Sequence, residues 1–192
     1  MLFRSIALGL PTDQKTGTFE QMFLPDYMFN AFARMLYHGR PIVKETADVF
    51  VPDKPAIQPP CPITPTVVCS LILALALLFF YVRKGTKVFD FVLFFSVGVV
   101  GLLVTFLWFF TDHTNTQNNL NIIWALPTHL VMAFFLLCGQ RSTFTRKYFL
   151  VTAIIAMLLL VTWVFLPQRL NPSLIPLVIA VALRAFRLYR LP

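Results

Sequence analysis

FFTDHTNTQNNLNIIWALPTHL, residues 109–130, is the stretch around which the chain is organised. It carries Asp112, His113, Asn115, Gln117, Asn118, Asn119, Asn121 and His129, and neither lysine nor arginine. Strongly apolar runs lie on both sides of it. A polar segment without basic residues between two such runs reads as a loop held at one membrane face, with membrane-spanning helices around it.

The composition agrees. The chain has 192 residues, 58% hydrophobic and 12% charged, with mean hydropathy +0.75. Soluble domains carry about 25% charged residues. The net charge of +8 is unevenly placed. Residues 1–62 balance Arg4, Lys15, Arg34, Arg40, Lys44 and Lys54 against Asp13, Glu20, Asp26, Glu45, Asp48 and Asp53. Residues 63–192 set ten basic groups against Asp90 and Asp112. A basic chain can bind nucleic acid. Here the cations sit singly and in threes between apolar runs, which is the pattern of membrane loops, so a nucleic-acid partner is not expected.

Five apolar segments follow one another at about 65–82, 88–110, 122–138, 148–166 and 172–189. The first four are each near the ~20 residues that span a bilayer, and the fifth is weaker, its apolar part LIPLVIAVAL being short. The fifth carries Arg184, Arg187 and Arg190. Their long side chains can snorkel from a full span; a basic helix lying on the surface is the alternative. The links after the first and third segments hold Arg83, Lys84, Lys87 and Arg141, Arg146, Lys147. The positive-inside rule puts these links and the C-terminal end in the cytoplasm, and the Asn-rich loop outside. Trp108, Trp124 and Trp163 then fall at the outer helix ends, where an interfacial belt belongs. The fold expected is an all-α polytopic membrane protein, about five transmembrane helices after a small extracytoplasmic α+β segment.

That segment is residues 1–51. Within it, 19–41 reads as one amphipathic helix, with Asp26 as N-cap, Met28, Phe32 and Met35 on one face, and Gly39-Arg40-Pro41 as its stop. Its face suits core packing or docking on the membrane surface. IVKETADVFVP (42–52) reads as short strands. PDKPAIQPPCPITPT (52–66) holds six prolines and is extended, so 52–64 is a linker and 65–192 the transmembrane domain. The unit before the linker is small for a core of its own. Because a neutral head must cross the membrane without a signal peptide, the expectation is that it ends a larger periplasmic domain with an export signal upstream.

Candidate chemistry is sparse. Asp112 and His113 are sequence neighbours and do not face each other on a helix. His113, with Asp112, Asn118, Asn119 and Asn121, reads in two ways. One is a tight turn whose asparagines cap the following helix and tolerate left-handed backbone. The other is a headgroup-level site in which His113 moves a proton and the amides bind a lipid ester or phosphate. His129 sits within the third segment two residues after Pro127, and an intramembrane ionisable group is a functional candidate. The bland reading has it bonded to the carbonyl that Pro127 frees, or to Thr105 or Thr162. Asp90 is expected to pair with Lys87 one turn away. Cys69 and Cys138 read as apolar filler, and Cys61 as a free thiol. There is no G-x-S-x-G, H-E-x-x-H, P-loop or G-x-G-x-x-G, and no metal or cofactor is expected.

GLPTD (9–13), MFLPDYMFNAF (22–32), GRPIVKET (39–46), the Pro-rich link and FTDHTNTQNNLNIIWALPTHL (110–130) together resemble the C-terminal part of bacterial Lnb-type proteins, most of all those of Bacteroidota. The most specific piece is H-T-x-T-x-N-N-L-N followed by W-A-x-P-x-H-L. The resemblance implies lipoprotein maturation: transfer of an acyl chain to the N-terminal amine of a bacterial lipoprotein, at the outer face of the inner membrane. It implies membrane lipids and lipoproteins as partners. His113, Asn119 and Asn121 match the motif, while a catalytic nucleophile is expected in the family's larger external domain. A non-catalytic anchor or assembly subunit, or a small transporter with His129 in its path, are the other functions open to the sequence.

Overall fold

The computed structural model describes residues 6–15, 17, 21, 24–47, 63–82, 85–139 and 142–191. Cys61, Arg83, Lys84, Arg141 and most of the linker lie outside these residues. The chain divides into two compact units, Gln14–Pro60 and Met1–Asp13 with Cys61–Pro192. Residues before Gln14 thus group with the helices rather than with the rest of the expected head.

In the smaller unit, helix α1 (Pro25–Arg34) starts with Pro25 in its first turn behind Leu24, not with an Asp26 cap. Proline suits that position because its missing N–H would be unbonded anyway. The helix ends sooner than the pattern suggests. Leu36–Tyr37 (β1) pairs antiparallel with Arg40–Pro41 (β2). The turn between them holds His38 and Gly39 at φ 48° and 75°, so the Gly-Arg-Pro sequence makes a hairpin instead of a helix stop. Met28, Phe32 and Met35 are exposed and α1 buries no residue, which removes core packing as the role of that face. Residues 43–47 form no strand.

In the larger unit, α2 (Pro65–Tyr81) begins at Thr64, whose hydroxyl accepts the Val67 N–H at 3.3 Å. Then come α3 (Thr86–Phe109), α4 (Thr128–Leu137), α5 (Thr143–Thr162) and α6 (Ile175–Arg190). Among the described residues, four stretches are long and apolar enough to cross a membrane: Thr86–Phe109, Thr114–Leu137, Thr143–Phe165 and Pro172–Arg190. Pro65–Tyr81 is apolar and shorter. Large apolar side chains such as Leu102, Val161 and Phe165 point outward. In water such a surface would aggregate; in lipid it is the expected exterior. The protein is an all-α polytopic membrane protein.

Alternation of the helices gives the bundle a loop end (residues 110–127 and 163–174) and an arginine end (82, 85–86, 138–139, 142 and 190). Helix α6 packs against both α2 and α5, and α3 packs along α4. The hydroxyls of Thr66 and Ser173 meet at 2.8 Å and tie the starts of α2 and α6. Gly98 and Gly101 let backbone meet backbone on α3. A Cβ on Gly101 would lie 1.9 Å from the Ala125 carbonyl oxygen, and one on Gly98 2.4 Å from the Leu130 nitrogen. Small residues one turn apart commonly allow such close approach between membrane helices.

The third crossing is not a plain helix. It runs as 3-10 turns at Thr114–Thr116 and Leu120–Ile123, then as the ten-residue α4. Pro127 starts α4 rather than kinking it, so His129 lies in the first turn. Ten residues rise only about 15 Å, half of a ~30 Å hydrocarbon core. Irregular backbone at membrane depth is tolerated where protein covers it, and here the glycine face of α3 is part of that cover.

Three further expectations are corrected. Asp90 does not rely on Lys87. Arg184 Nε and Nη2 donate to its two carboxylate oxygens at 2.6 and 2.8 Å, and Nη1 donates to the Phe79 carbonyl at 2.8 Å. Arg184 is fully buried, so it does not snorkel. A guanidinium fork satisfied by a carboxylate and a carbonyl needs no water, whereas an interfacial position would leave Asp90 alone in the core. Trp124 is 2% exposed and belongs to the core instead of an interfacial belt.

Candidate functional site

The loop end is built from buried amides. Asn119 and Asn121 are both fully buried. Asn119 Nδ2 donates to the Ile6 carbonyl at 2.7 Å. Its Oδ1 accepts from the Asn121 backbone N–H at 3.0 Å, from Asn121 Nδ2 at 2.9 Å and from Gln168 Nε2 at 3.4 Å. Asn121 Oδ1 accepts the Trp124 indole N–H at 3.0 Å. Gln168 closes the circuit: its Oε1 takes the Leu120 N–H at 2.6 Å and its Nε2 donates to the Leu8 carbonyl at 3.0 Å. Three amide side chains thereby satisfy backbone from two separate parts of the chain, residues 6–8 and 120–121. Helical hydrogen bonding cannot do this where the backbone is irregular, and an unsatisfied group there is costly.

The N-terminal residues are part of the same construction. The Gly9 N–H donates to the Asn115 carbonyl at 2.8 Å. A Cβ on Gly9 would meet the Gln117 carbonyl oxygen at 1.9 Å, so the fit requires glycine. Asp13 Oδ2 accepts the Arg169 N–H at 2.7 Å. GLPTD therefore acts as a strap over the loop, joined to both the 115–118 turn and the 167–171 link.

The expected site residues separate into two groups. Asn119 and Asn121 are structural hubs inside. Asp112, His113 and Asn118 are exposed on the surface of the loop. Asn118 adopts φ 51°, the left-handed backbone that asparagine tolerates. Sequence reasoning missed Gln168, Ile6 and Leu8. Gln168 is one of two neutral amides, with Asn171, in a short link that also holds Arg169, a faint signal; the carbonyls of Ile6 and Leu8 carry none.

Beneath the amides lies an apolar cavity of about 430 Å³ between α2, α3 and α6, reached by Ile6, Cys69, Leu93, Val97, Trp124 and Leu174. Cavities of ~300–1,000 Å³ are the usual size for small ligands. Trp124 belongs to both cavity and network, so the polar roof and the apolar chamber share a wall.

His129 is elsewhere. It is fully buried, with Nδ1 2.6 Å from the Tyr148 hydroxyl, which in turn lies 2.9 Å from the exposed Thr128 hydroxyl. The rings of Phe94 and Tyr148 stand edge-on to it. The Trp124 carbonyl is its backbone neighbour, though Nε2 has no partner at hydrogen-bond geometry. Thr105 and Thr162, the partners expected, bond to Gly101 and Leu158 of their own helices. His113 and His129 are therefore not one site. Among the described residues no group of three His, Cys, Asp or Glu side chains is placed to hold a metal.

A buried amide roof over a lipid-facing helical bundle defines a polytopic membrane domain with one specialised end. Residues 57–191 match the family model described as the Lnb transmembrane domain. The chain belongs to that family. Searches of curated proteins and of solved structures each gave no match.

Proposed function

We propose that this chain is the membrane-embedded part of an Lnb-like protein that remodels the acyl chains of bacterial lipoproteins, with the cavity between α2, α3 and α6 holding an acyl chain. The observation that carries the reading is the cavity itself, lined almost wholly by apolar side chains and sharing Trp124 with the Asn119–Asn121–Gln168 roof. A chain end seated there brings its ester to the level of the loop, where His113 and Asp112 are exposed. The loop end is taken to face away from the cytoplasm in the inner membrane, as the placement of basic residues supports. His113 would serve as proton donor or acceptor at the headgroup, and Asn119 and Asn121 would hold the loop in shape.

The test is the mass spectrum of cellular lipoproteins made with the complete protein. Val92 is half-exposed on the cavity rim. Val92→Trp, which fills the cavity from that rim, is expected to lower the remodelled fraction. His113→Ala is expected to lower it with no change in thermal stability. Spectra unchanged in both variants would remove the cavity and the loop from the chemistry.

A second reading, a non-catalytic anchor or assembly element, draws on one observation: every donor and acceptor named in the roof is already satisfied within the chain. On that reading Asn121→Ala lowers the melting temperature, and no substitution at His113 changes any product.

A further inference from the structure

Helices α5 and α6 form a second apolar groove, of about 770 Å³, lined by Leu150, Ile154, Met157, Ala182, Leu183 and Phe186. Ile154, Met157 and Phe186 are among the exposed large side chains of the bundle. From Leu150 to Met157 the wall rises about 10 Å, most of the ~15 Å hydrocarbon depth of one leaflet. The groove leads toward the arginine end, and two guanidinium groups stand there. Arg190 lies over the Phe186 ring at 5.8 Å. Arg146 lies over the Tyr189 ring at 5.9 Å, and its Nε donates to the Tyr189 carbonyl at 3.1 Å. Both are exposed.

Among the described residues no carboxylate lies within ion-pair distance of either guanidinium. The acids of residues 63–192 are Asp90 and Asp112. Asp90 is held by the buried Arg184, and Asp112 lies at the loop end. Lys87, Arg146, Lys147 and Arg190 therefore share the arginine end without an acidic side chain of their own among the described residues. At a membrane surface the anions at hand are lipid headgroups. Aromatic rings under the two guanidiniums limit their freedom before any ligand arrives, and a guanidinium suits phosphate better than an ammonium does.

We propose that the α5–α6 groove binds one anionic phospholipid of the surrounding membrane, an acyl chain lying along Leu150–Met157 and the phosphate on Arg146 and Arg190. A zwitterionic lipid fits the same groove and leaves the charge excess in place, so the site discriminates by headgroup. The site is at the opposite end of the bundle from the amide roof and does not depend on the acyl-transfer reading.

The experiment is native mass spectrometry of the full chain in detergent, titrated with phosphatidylglycerol or phosphatidylethanolamine of identical acyl chains. Phosphatidylglycerol is expected to bind more tightly. Arg146→Gln with Arg190→Gln should weaken it roughly fivefold per cation removed and leave phosphatidylethanolamine unchanged. Ile154→Trp, which blocks the groove, should weaken both. Lys147→Gln removes an exposed cation about 100° round the helix from Arg146 and should change neither. Thermal melts of each variant confirm that folded protein is compared. Equal binding of the two lipids, or a loss with Lys147→Gln as large as with the Arg pair, would overturn the proposal. So would a lipid-free dimer that fails to form with Ile154→Trp, because a second copy would then occupy the groove.

Discussion

Asn119 shows how much one side chain can carry where a membrane backbone leaves the helix. Its carbonyl oxygen accepts from Asn121 and Gln168 while its amide reaches Ile6. Asn119→Ala strands buried groups, each worth about 1–3 kcal/mol; unfolding in mixed micelles, followed by tryptophan fluorescence, should show a loss on that scale. Asp90 gives a sharper contrast. Asp90→Asn leaves the Arg184 guanidinium buried without its counter-charge, and should destabilise by about 3–5 kcal/mol. Asp90→Leu combined with Arg184→Met should recover most of that loss, since an apolar pair of similar size avoids desolvating two ions. Equal stability of the single and double variants would refute the buried-pair account. Sequence spacing pointed to Lys87 because a helix brings i and i+3 together. It holds no comparable sign of a partner on another helix, which is why Arg184 read as a snorkelling cation.

Among the elements, the apolar runs were legible because a bilayer demands about 20 apolar residues. Helices α2, α3, α5 and α6 begin and end within a few residues of the expected segments. The third crossing was not, since hydropathy measures what lipid tolerates and not which hydrogen bonds the backbone makes. Pro127 and the asparagine run were its visible marks, and they read as a kink and a turn rather than as a half-length helix. The contact that shelters this crossing comes from Gly98 and Gly101 of α3. Gly101→Ala sets a methyl against the Ala125 carbonyl, and overpacking of this kind destabilises by about 1–3 kcal/mol. Thermal unfolding should show that drop, while Val99→Ala on the exposed side of the same helix should show none.

For the molecule as a whole, the order of the helices places the Asn-rich loop and the arginine end on opposite membrane faces. In a cysteine-free background, His113→Cys and Lys147→Cys should react with a membrane-impermeant maleimide from opposite sides, position 147 from the cytoplasm. Labelling of both from one side would refute the assignment of these two loops to opposite faces. Charge and composition made this architecture readable without any structure. They left the strap hidden, because residues 6–13 look like the start of a separate head until the carbonyls of Ile6 and Leu8 are seen to end on Asn119 and Gln168.

The strap and the 167–171 link also bear on biogenesis. The Leu120 N–H has its partner 48 residues further along the chain. When the third crossing leaves the ribosome, Gln168 has not yet been made, and the asparagines wait without the side chain that completes their circuit. The segment can settle only after α5 has been inserted and the link has turned back to meet the strap. Assembly of this end of the protein is therefore a late closure of parts far apart in the chain, and a pause in translation before residue 168 would hold it open.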